Sequence, residues 1–120
     1  MAQYKHLPVF QDTYDLTLEI HKRVNNFPRV HRYSIGERIK IIGFDLLDLI
    51  IEANSAKIKT EFIEKAEKIL EKLKIYARVC FDLKIMGNKG FEFMIRKMDE
   101  IGRQFNRWKE WSNANSSNQN

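Results

Sequence analysis

The sequence predicts an all-α fold, an up-down-up-down four-helix bundle, and three observations support this. Apolar residues recur at spacings of three and four along four long segments, which is the pattern of a helix with one buried face. No segment alternates apolar and polar residues over a useful length, so a strand signal is absent. Only short links separate the four segments, and short links favour antiparallel neighbours. With 43% hydrophobic residues, the 120-residue chain can fill the core of one domain.

The first predicted helix covers residues 8–27 and lies between the two prolines of the chain. Pro8 suits a first helical turn, where its missing N–H would have no partner anyway. Pro28 disfavours the helical conformation of the residue before it, which ends the segment. The apolar face of this helix is predicted to contain Val9, Phe10, Tyr14, Leu16, Thr17, Ile20, His21, Val24 and Phe27.

The second predicted helix covers residues 35–53, and a capping box marks its start. In such a box the Ser34 hydroxyl accepts from the Glu37 amide, while the Glu37 carboxylate reaches back to the Ser34 N–H. The core-facing residues are predicted to be Ile39, Ile42, Leu46, Leu49, Ile50 and Ala53.

The third and fourth predicted helices cover residues 57–86 and 89–111, and Gly87 between them is expected to be left-handed. The third should bury Ile58, Phe62, Ala66, Ile69, Leu73, Tyr76, Cys80 and Leu83. The fourth should bury Phe91, Met94, Ile95, Met98, Ile101, Phe105 and Trp108. The polar segment SNANSSNQN that follows predicts a disordered tail at 112–120, after a bundle domain at 1–111.

The second and third helices carry more apolar residues than the core of a four-helix bundle can cover. Leaving such side chains in water forgoes about 1.5–3 kcal/mol each. Contiguous exposed apolar patches usually mark an interface, so we expect a homo-oligomer. The alternative is a wide core with a few tolerated surface aliphatics. The predicted subunit interface consists of Ile41, Phe44, Leu47, Ile51, Ile75, Val79 and Met86.

Basic residues form a row on the fourth helix, and the whole net charge of +5 comes from residues 55–120. Arginines with flanking aromatic rings suit phosphate contacts and stacking on unpaired bases. The alternative is a solvated helix face. The candidate contacts with nucleic acid or a polymerase are Lys74, Arg78, Lys84, Lys89, Arg96, Arg103 and Arg107, with Phe93 and Trp111 beside them.

The residue types that carry catalytic chemistry are few and scattered. Cys80 lies in an apolar stripe, where a thiol acts as a small hydrophobe. Asp45 and Asp48 lie one turn apart, but no histidine or further carboxylate completes a metal-binding set. Phosphate-binding loops, dinucleotide fingerprints and nucleophile elbows are missing. We therefore expect no enzyme, no metal and no cofactor. The single cysteine and the absence of signal and membrane-spanning patterns predict a cytoplasmic protein.

Three segments in this order resemble the accessory variability determinant (Avd) of diversity-generating retroelements: LPVFQDTYDLTLEIHKRVNNFPRVHRYSIGERI, FDLLDLIIEAN and MDEIGRQFNRWKEW. The similarity covers residues 7–111, and FPRVHRYSIGERI and EIGRQFNRW are its most specific parts. The resemblance implies a four-helix bundle that assembles into a homopentameric barrel. It also implies a basic protein that binds the reverse transcriptase and template RNA of the element. Such a protein supports mutagenic retrohoming, in which errors at adenines are copied into a variable gene, and performs no chemistry itself.

Two other hypotheses remain open. Bundle proteins encoded in intervening sequences of bacterial large-subunit ribosomal RNA are similar in the first helix and at the Phe27-Pro28 corner. Their second helix carries small residues where this chain has IKIIGFDLLDLIIEAN, which favours the retroelement hypothesis. The third hypothesis is a plain self-associating adaptor whose basic face is incidental. Such an adaptor should show no RNA binding that weakens as salt rises.

Overall fold

A computed structural model of the protein describes residues 4–118 and is entirely helical over that range, without a strand. The all-α class is therefore confirmed. A short 3₁₀ turn, Tyr4–His6, precedes five helices: α1 (Pro8–Asn25), α2 (Arg29–Arg32), α3 (Ile35–Ser55), α4 (Thr60–Asp82) and α5 (Asn88–Asn118). The single turn α2 lies in a segment for which the sequence predicted no helix. No helix within residues 4–118 is both long enough and apolar enough to cross a membrane.

The four long helices pack side by side, with α1 and α4 each contacting both α3 and α5. Val24 near the end of α1 faces Gly36 near the start of α3. Earlier in α1, Thr17 faces Gly43 further along α3, so the contacts run in opposite chain directions. Pairs between α4 and α5 follow the same reversed order, as in Lys74–Asp99 and Glu67–Lys109.

The core follows the helical periodicity where each helix is regular. Leu16, Leu46, Leu73 and Phe105 are completely buried, one from each long helix. The predicted core face of α3 is confirmed except for Leu49, which is half-buried. The buried residues as a set are Val9, Leu16, Ile20, Val24, Phe27, Ile39, Ile42, Leu46, Ile50, Ala53, Ile63, Ala66, Leu70, Leu73, Ala77, Cys80, Met86, Met94, Met98, Ile101 and Phe105.

The prediction for the third helix was wrong at both ends. Ile58 and Leu83 are 68% and 47% exposed instead of buried. Both lie outside α4, which begins at Thr60 and ends at Asp82, so the helical spacing does not extend to them. Within α4 the buried stripe also includes Ile63, Leu70 and Ala77, which places the core slightly to one side of the predicted face.

The chain leaves α4 through a Schellman motif. The Ile85 N–H donates to the Cys80 carbonyl (3.1 Å), and the Lys84 N–H donates to the Phe81 carbonyl (3.0 Å). Lys84 takes the left-handed conformation, with φ of 65°, and no described glycine has a positive φ. The prediction of a left-handed Gly87 was therefore wrong. The turn also sends Met86 into the core, where it is 5% exposed, so its assignment to the subunit interface is corrected.

Two further predictions, about the start of α3 and the end of α5, differ from the structure. The Ser34 hydroxyl donates to the Val30 carbonyl of α2 (3.1 Å) and makes no cap for α3, so the capping box is absent. The turn α2 places the Val30 carbonyl four residues before Ser34, which is within reach of the hydroxyl. The last helix continues through Asn118, so 112–118 of the predicted tail are helical, while 119–120 lie outside the described residues. The Thr60 hydroxyl donates to the Asn113 side-chain oxygen (2.6 Å), which gives this extension a tertiary contact.

Candidate functional site

The basic row predicted on α5 divides into two halves with different surroundings. Arg103 and Arg107 both lie beside the Glu100 carboxylate, at 2.8 Å and 3.6 Å. Lys89 and Arg96 are exposed and form no ion pair with any described residue. The cations of the row without an acidic partner therefore lie in the first half of the helix, while in the second half one carboxylate offsets part of the charge of two arginines.

The Glu100 carboxylate forms ion pairs with both Arg103 and Arg107. The hydrogen bonds from Arg103 lower the pKa of Glu100, and the charge of Arg107 and a hydrogen bond from Gln104 act in the same direction. A carboxylate that stays ionised cancels part of the positive potential that a phosphate would encounter there. The second half of the row is thus poorly suited to hold a polyanion.

The candidates on α4 are also mostly paired. The Lys74 ammonium lies 3.3 Å from Glu71 and 3.4 Å from Asp99. Arg78 donates to the Asp82 carboxylate at 3.1 Å. Lys84, in the left-handed turn, is exposed and has no ion pair within residues 4–118. Of the three, only Lys84 presents an uncompensated charge.

An open groove of about 500 Å³ lies between α4 and α5. Leu70 and Gly102 contribute its apolar lining. Its charged lining mixes the two signs: Lys74, Arg103 and Arg107 stand with Glu67, Glu71 and Asp99. Acids and bases in equal number give no net attraction for a phosphate chain, so the groove does not provide the site that the sequence suggested.

The two aromatic residues predicted beside the row are separated in space. Phe93 is half-buried, and the Arg23 guanidinium lies 5.9 Å from the centre of its ring. Trp111 is 56% exposed, but it lies 18 residues further along α5, which is about 27 Å on a helix. The two rings therefore cannot act on the same bases.

The residues predicted for subunit contact divide between two surfaces, apart from Met86. On α3, Ile41 and Phe44 are each half exposed, whereas Leu47 and Ile51 are partly covered. The His21 ring of α1 lies 5.1 Å from the Phe44 ring, so this surface borders α1. On α4, Ile75 is 63% exposed and Val79 is 38% exposed.

Sequence reasoning missed the contribution of α1 to the first surface. Tyr14 and Leu18 are 45% and 46% exposed, and they lie one turn apart. The spacing had assigned Tyr14 to the core, but Thr13 occupies that position. The available signal was Leu18, a large apolar residue outside the buried stripe. We call Tyr14, Leu18, Phe44, Leu47 and Ile51 the α1–α3 patch, and Ile75 with Val79 the α4 patch. Ile41 belongs to neither, because it lines an open groove with Ile69 and Tyr76 of α4.

His21 and Cys80, two side chains of types that often act in catalysis, are hydrogen-bonded or buried within the bundle. The His21 ring donates through Nδ1 to the Thr17 carbonyl (3.0 Å). Cys80 is completely buried, and burial raises the pKa of its thiol to about 11, which disfavours the reactive thiolate. Within the described residues, no three His, Cys, Asp or Glu side chains come together in a way that could hold a metal ion.

Comparison with known protein families identifies a match over nearly the whole bundle. The model of the family described as bAvd-like matches residues 8–111, which span α1 through most of α5. No curated protein matches the chain.

Proposed function

Because the chain belongs to the bAvd-like family, which is of the accessory, non-catalytic type, we propose that it supports mutagenic retrohoming in a diversity-generating retroelement. In this role it binds the reverse transcriptase and the template RNA of the element and catalyses no reaction. The family match over residues 8–111 is the observation that carries this proposal. A cytoplasmic location belongs to the same proposal.

The assembly proposed here is a homopentameric barrel of up-down-up-down four-helix bundles. The reversed order of the contacts between neighbouring helices supports the bundle topology. The α1–α3 patch and the α4 patch support a ring, since a cyclic assembly of more than two subunits joins two different surfaces of the same chain. The number five comes from the resemblance to the Avd family alone.

Substitution at the α4 patch tests this assembly. Val79→Asp places a charge where the proposed ring would bury an apolar side chain, so we expect helical monomers of 14.3 kDa. Light scattering at high salt measures the mass, and circular dichroism measures the helix content. Lys57→Asp, at an exposed position between α3 and α4, is the control and should leave the mass unchanged. A wild-type mass of 14.3 kDa, or an unchanged mass in Val79→Asp, contradicts the proposed contact.

Co-purification with a reverse transcriptase tests the function itself. A tagged copy of this protein is expressed with the reverse transcriptase encoded beside its gene, and the captured complex is washed with salt. We expect the polymerase and RNA to be retained at moderate ionic strength and the RNA to be released first as salt rises. Capture of neither contradicts the proposal. Capture of RNA without polymerase favours the ribosomal intervening-sequence hypothesis instead.

A further inference from the structure

The positive charge of the protein is concentrated at one end of the bundle. Residues 22–40 and 78–96 together carry ten Lys or Arg and three Asp or Glu, a surplus of seven positive charges. The whole chain has a surplus of five, so the rest of it is slightly acidic. We call these two segments the basic end. A count of charges by halves of the chain does not reveal this end, because it places the whole surplus of positive charge in residues 55–120.

Contacts between helix ends bring the two segments together. Arg23 near the end of α1 lies directly beside Gly90 near the start of α5. Gly36 at the start of α3 lies between Val24 of α1 and the His31 carbonyl of α2. The Schellman turn joins the end of α4 to the start of α5 over residues 83–87. The molecule measures only 23 × 20 Å across its short axes, so the charges share a surface of about that size.

The charges at the basic end are also less neutralised than those elsewhere. Of its ten Lys and Arg residues, only Arg23 and Arg78 form ion pairs with described residues, with Glu19 and Asp82. Six of the other eleven are paired: Lys65, Lys74, Lys97, Arg103, Arg107 and Lys109. Unpaired cations crowded on one small surface repel each other, and a bound polyanion would remove that repulsion.

The turn α2 adds an exposed aromatic ring to this surface. Tyr33, which ends α2, is 73% exposed, and Arg29 at its start is exposed too. Arg32 between them is tethered by its Nε, which donates to the Phe27 carbonyl (3.1 Å). An open ring one turn after the unpaired Arg29 suits an unpaired base with its flanking phosphate, because bases stack on aromatic faces while cations hold the backbone. An acidic protein surface could bind the cations of the basic end, but it would not need the exposed Tyr33 ring.

Building on the proposed function, we infer that single-stranded RNA binds at the basic end rather than along the outer face of α5. Arg29, Lys84 and Lys89 contact phosphates, and Tyr33 stacks on a base. Arg103 and Arg107 contribute less, since both lie beside the Glu100 carboxylate, which offsets part of their charge. The acidic balance of the rest of the chain disfavours RNA elsewhere on the bundle.

Fluorescence anisotropy with an unstructured RNA of about 16 nucleotides tests this inference at about 50 mM and about 200 mM salt. The end variant carries Arg29→Gln, Lys84→Gln and Lys89→Gln. The matched control carries Lys57→Gln, Lys65→Gln and Lys68→Gln, three exposed lysines at the opposite end, and so has the same net charge. A third protein, with Arg103→Gln and Arg107→Gln, tests the row on α5. Circular dichroism and light scattering verify that each variant folds and assembles.

We expect the end variant to lose at least tenfold in affinity and to lower the salt slope by about 2, at roughly 0.7 for each single-strand phosphate contact. The other two proteins should stay within about threefold of wild type. Tyr33→Ala should weaken binding about fivefold or more, whereas Tyr33→Phe, which keeps the ring, should bind like wild type.

Three results would overturn the inference, and each has a different consequence for the proposed function. If wild type binds RNA and the end variant binds equally well, the location is wrong but the proposed RNA binding survives. If the end variant keeps RNA but loses the reverse transcriptase in co-purification, the basic end docks a protein surface. If wild type binds no RNA even at about 50 mM salt, the RNA part of the proposed function fails as well.

Discussion

The two ends of the bundle use similar charged side chains in opposite ways. At the basic end, eight of ten cations have no acidic partner among the described residues, and the exposed Tyr33 ring directly follows the turn α2. At the other end, where α3 ends and α4 begins, charges hold the helices together. The Lys109 ammonium binds Glu67 across the α4–α5 contact at 2.7 Å. The Lys59 ammonium donates to the carbonyls that end α3: Ala53 (3.0 Å), Asn54 (2.9 Å) and Ala56 (2.8 Å).

This difference indicates which charges serve stability and which are available to a partner. A cation that binds a neighbouring helix fixes the position of that helix and is already satisfied. A cation without an acidic neighbour contributes repulsion to the folded state and remains free for a polyanion. Composition alone cannot separate the two classes, since both ends contain Lys and Arg on exposed helix faces. The three predictions that follow test the division, starting with the largest expected effect.

Gly36→Ala should damage the packing that assembles the basic end. A methyl group there would lie 2.7 Å from the Val24 side chain and 3.0 Å from the His31 carbonyl. Overpacking of this kind costs about 1–3 kcal/mol, and the better helix propensity of alanine offsets up to about 1 kcal/mol of it. We therefore expect a fall of several degrees in melting temperature, measured by circular dichroism at a fixed protein concentration.

Gly87→Ala is the matched control for that experiment. Apart from its chain neighbours, no atom of residues 4–118 lies within 4 Å of the position that its methyl group would occupy, and its φ is not positive. Its melting temperature should equal or exceed that of wild type. Equal stability of Gly36→Ala would mean that α1, α2 and α3 do not need their close approach to hold the basic end together.

Lys84→Gly should stabilise the fold by about 1 kcal/mol, since glycine adopts the left-handed conformation without the steric cost that a Cβ brings. Lys84→Ala removes the same charge but keeps the Cβ, so it should gain only the small relief of charge repulsion and less than Lys84→Gly. Denaturant unfolding measures both variants. An equal gain in both would show that the charge and not the backbone decides stability here, and a gain in neither would contradict the expected steric cost of the left-handed Lys84. If glycine alone stabilises, the basic end retains a lysine where glycine would be more stable.

The reliability of sequence reasoning varied with position along the helices. Inside regular helices the spacing predicted burial correctly at most positions, as for Leu46 and Ile101, because a helix in contact with a core buries one face; Tyr14, at the edge of that face in α1, is an exception. At helix ends it failed. The Ser34 hydroxyl, the left-handed Lys84 and the burial of Met86 depend on competing partners a few residues away, and propensities do not identify these partners.

Some ion pairs of the candidate site could be predicted from the sequence, and others depend on the fold. Glu100 and Arg103 are three residues apart, a spacing at which opposite charges meet on a helix, so their pairing could have been expected. The pairing of Lys74 with Asp99 joins two helices and required the fold. The same holds for the basic end, whose two segments lie more than thirty residues apart in the chain.

Glu67→Gln should have the smallest effect and should depend on pH. The hydrogen bond with Glu67 is the main cause of the raised pKa of Lys109, whose ordinary value is 10.5. A base with a raised pKa in the folded protein contributes stability that is fully present below 10.5 and is lost as pH rises through the raised value. Breaking the partly exposed pair should cost about 0.5–1 kcal/mol near neutral pH and almost nothing at the alkaline limit.

Glu71→Gln is the control for this pH dependence, because Glu71 is a more exposed partner of Lys74 on the same helix. Its effect on unfolding free energy near neutral pH should be smaller, because Glu71 is largely exposed. If Glu67→Gln and Glu71→Gln behave alike, the short Lys109 contact stabilises the fold no more than an exposed ion pair does. If only Glu67→Gln loses stability near neutral pH, then the 2.7 Å contact of Lys109 stabilises the end of the bundle that carries no surplus of positive charge.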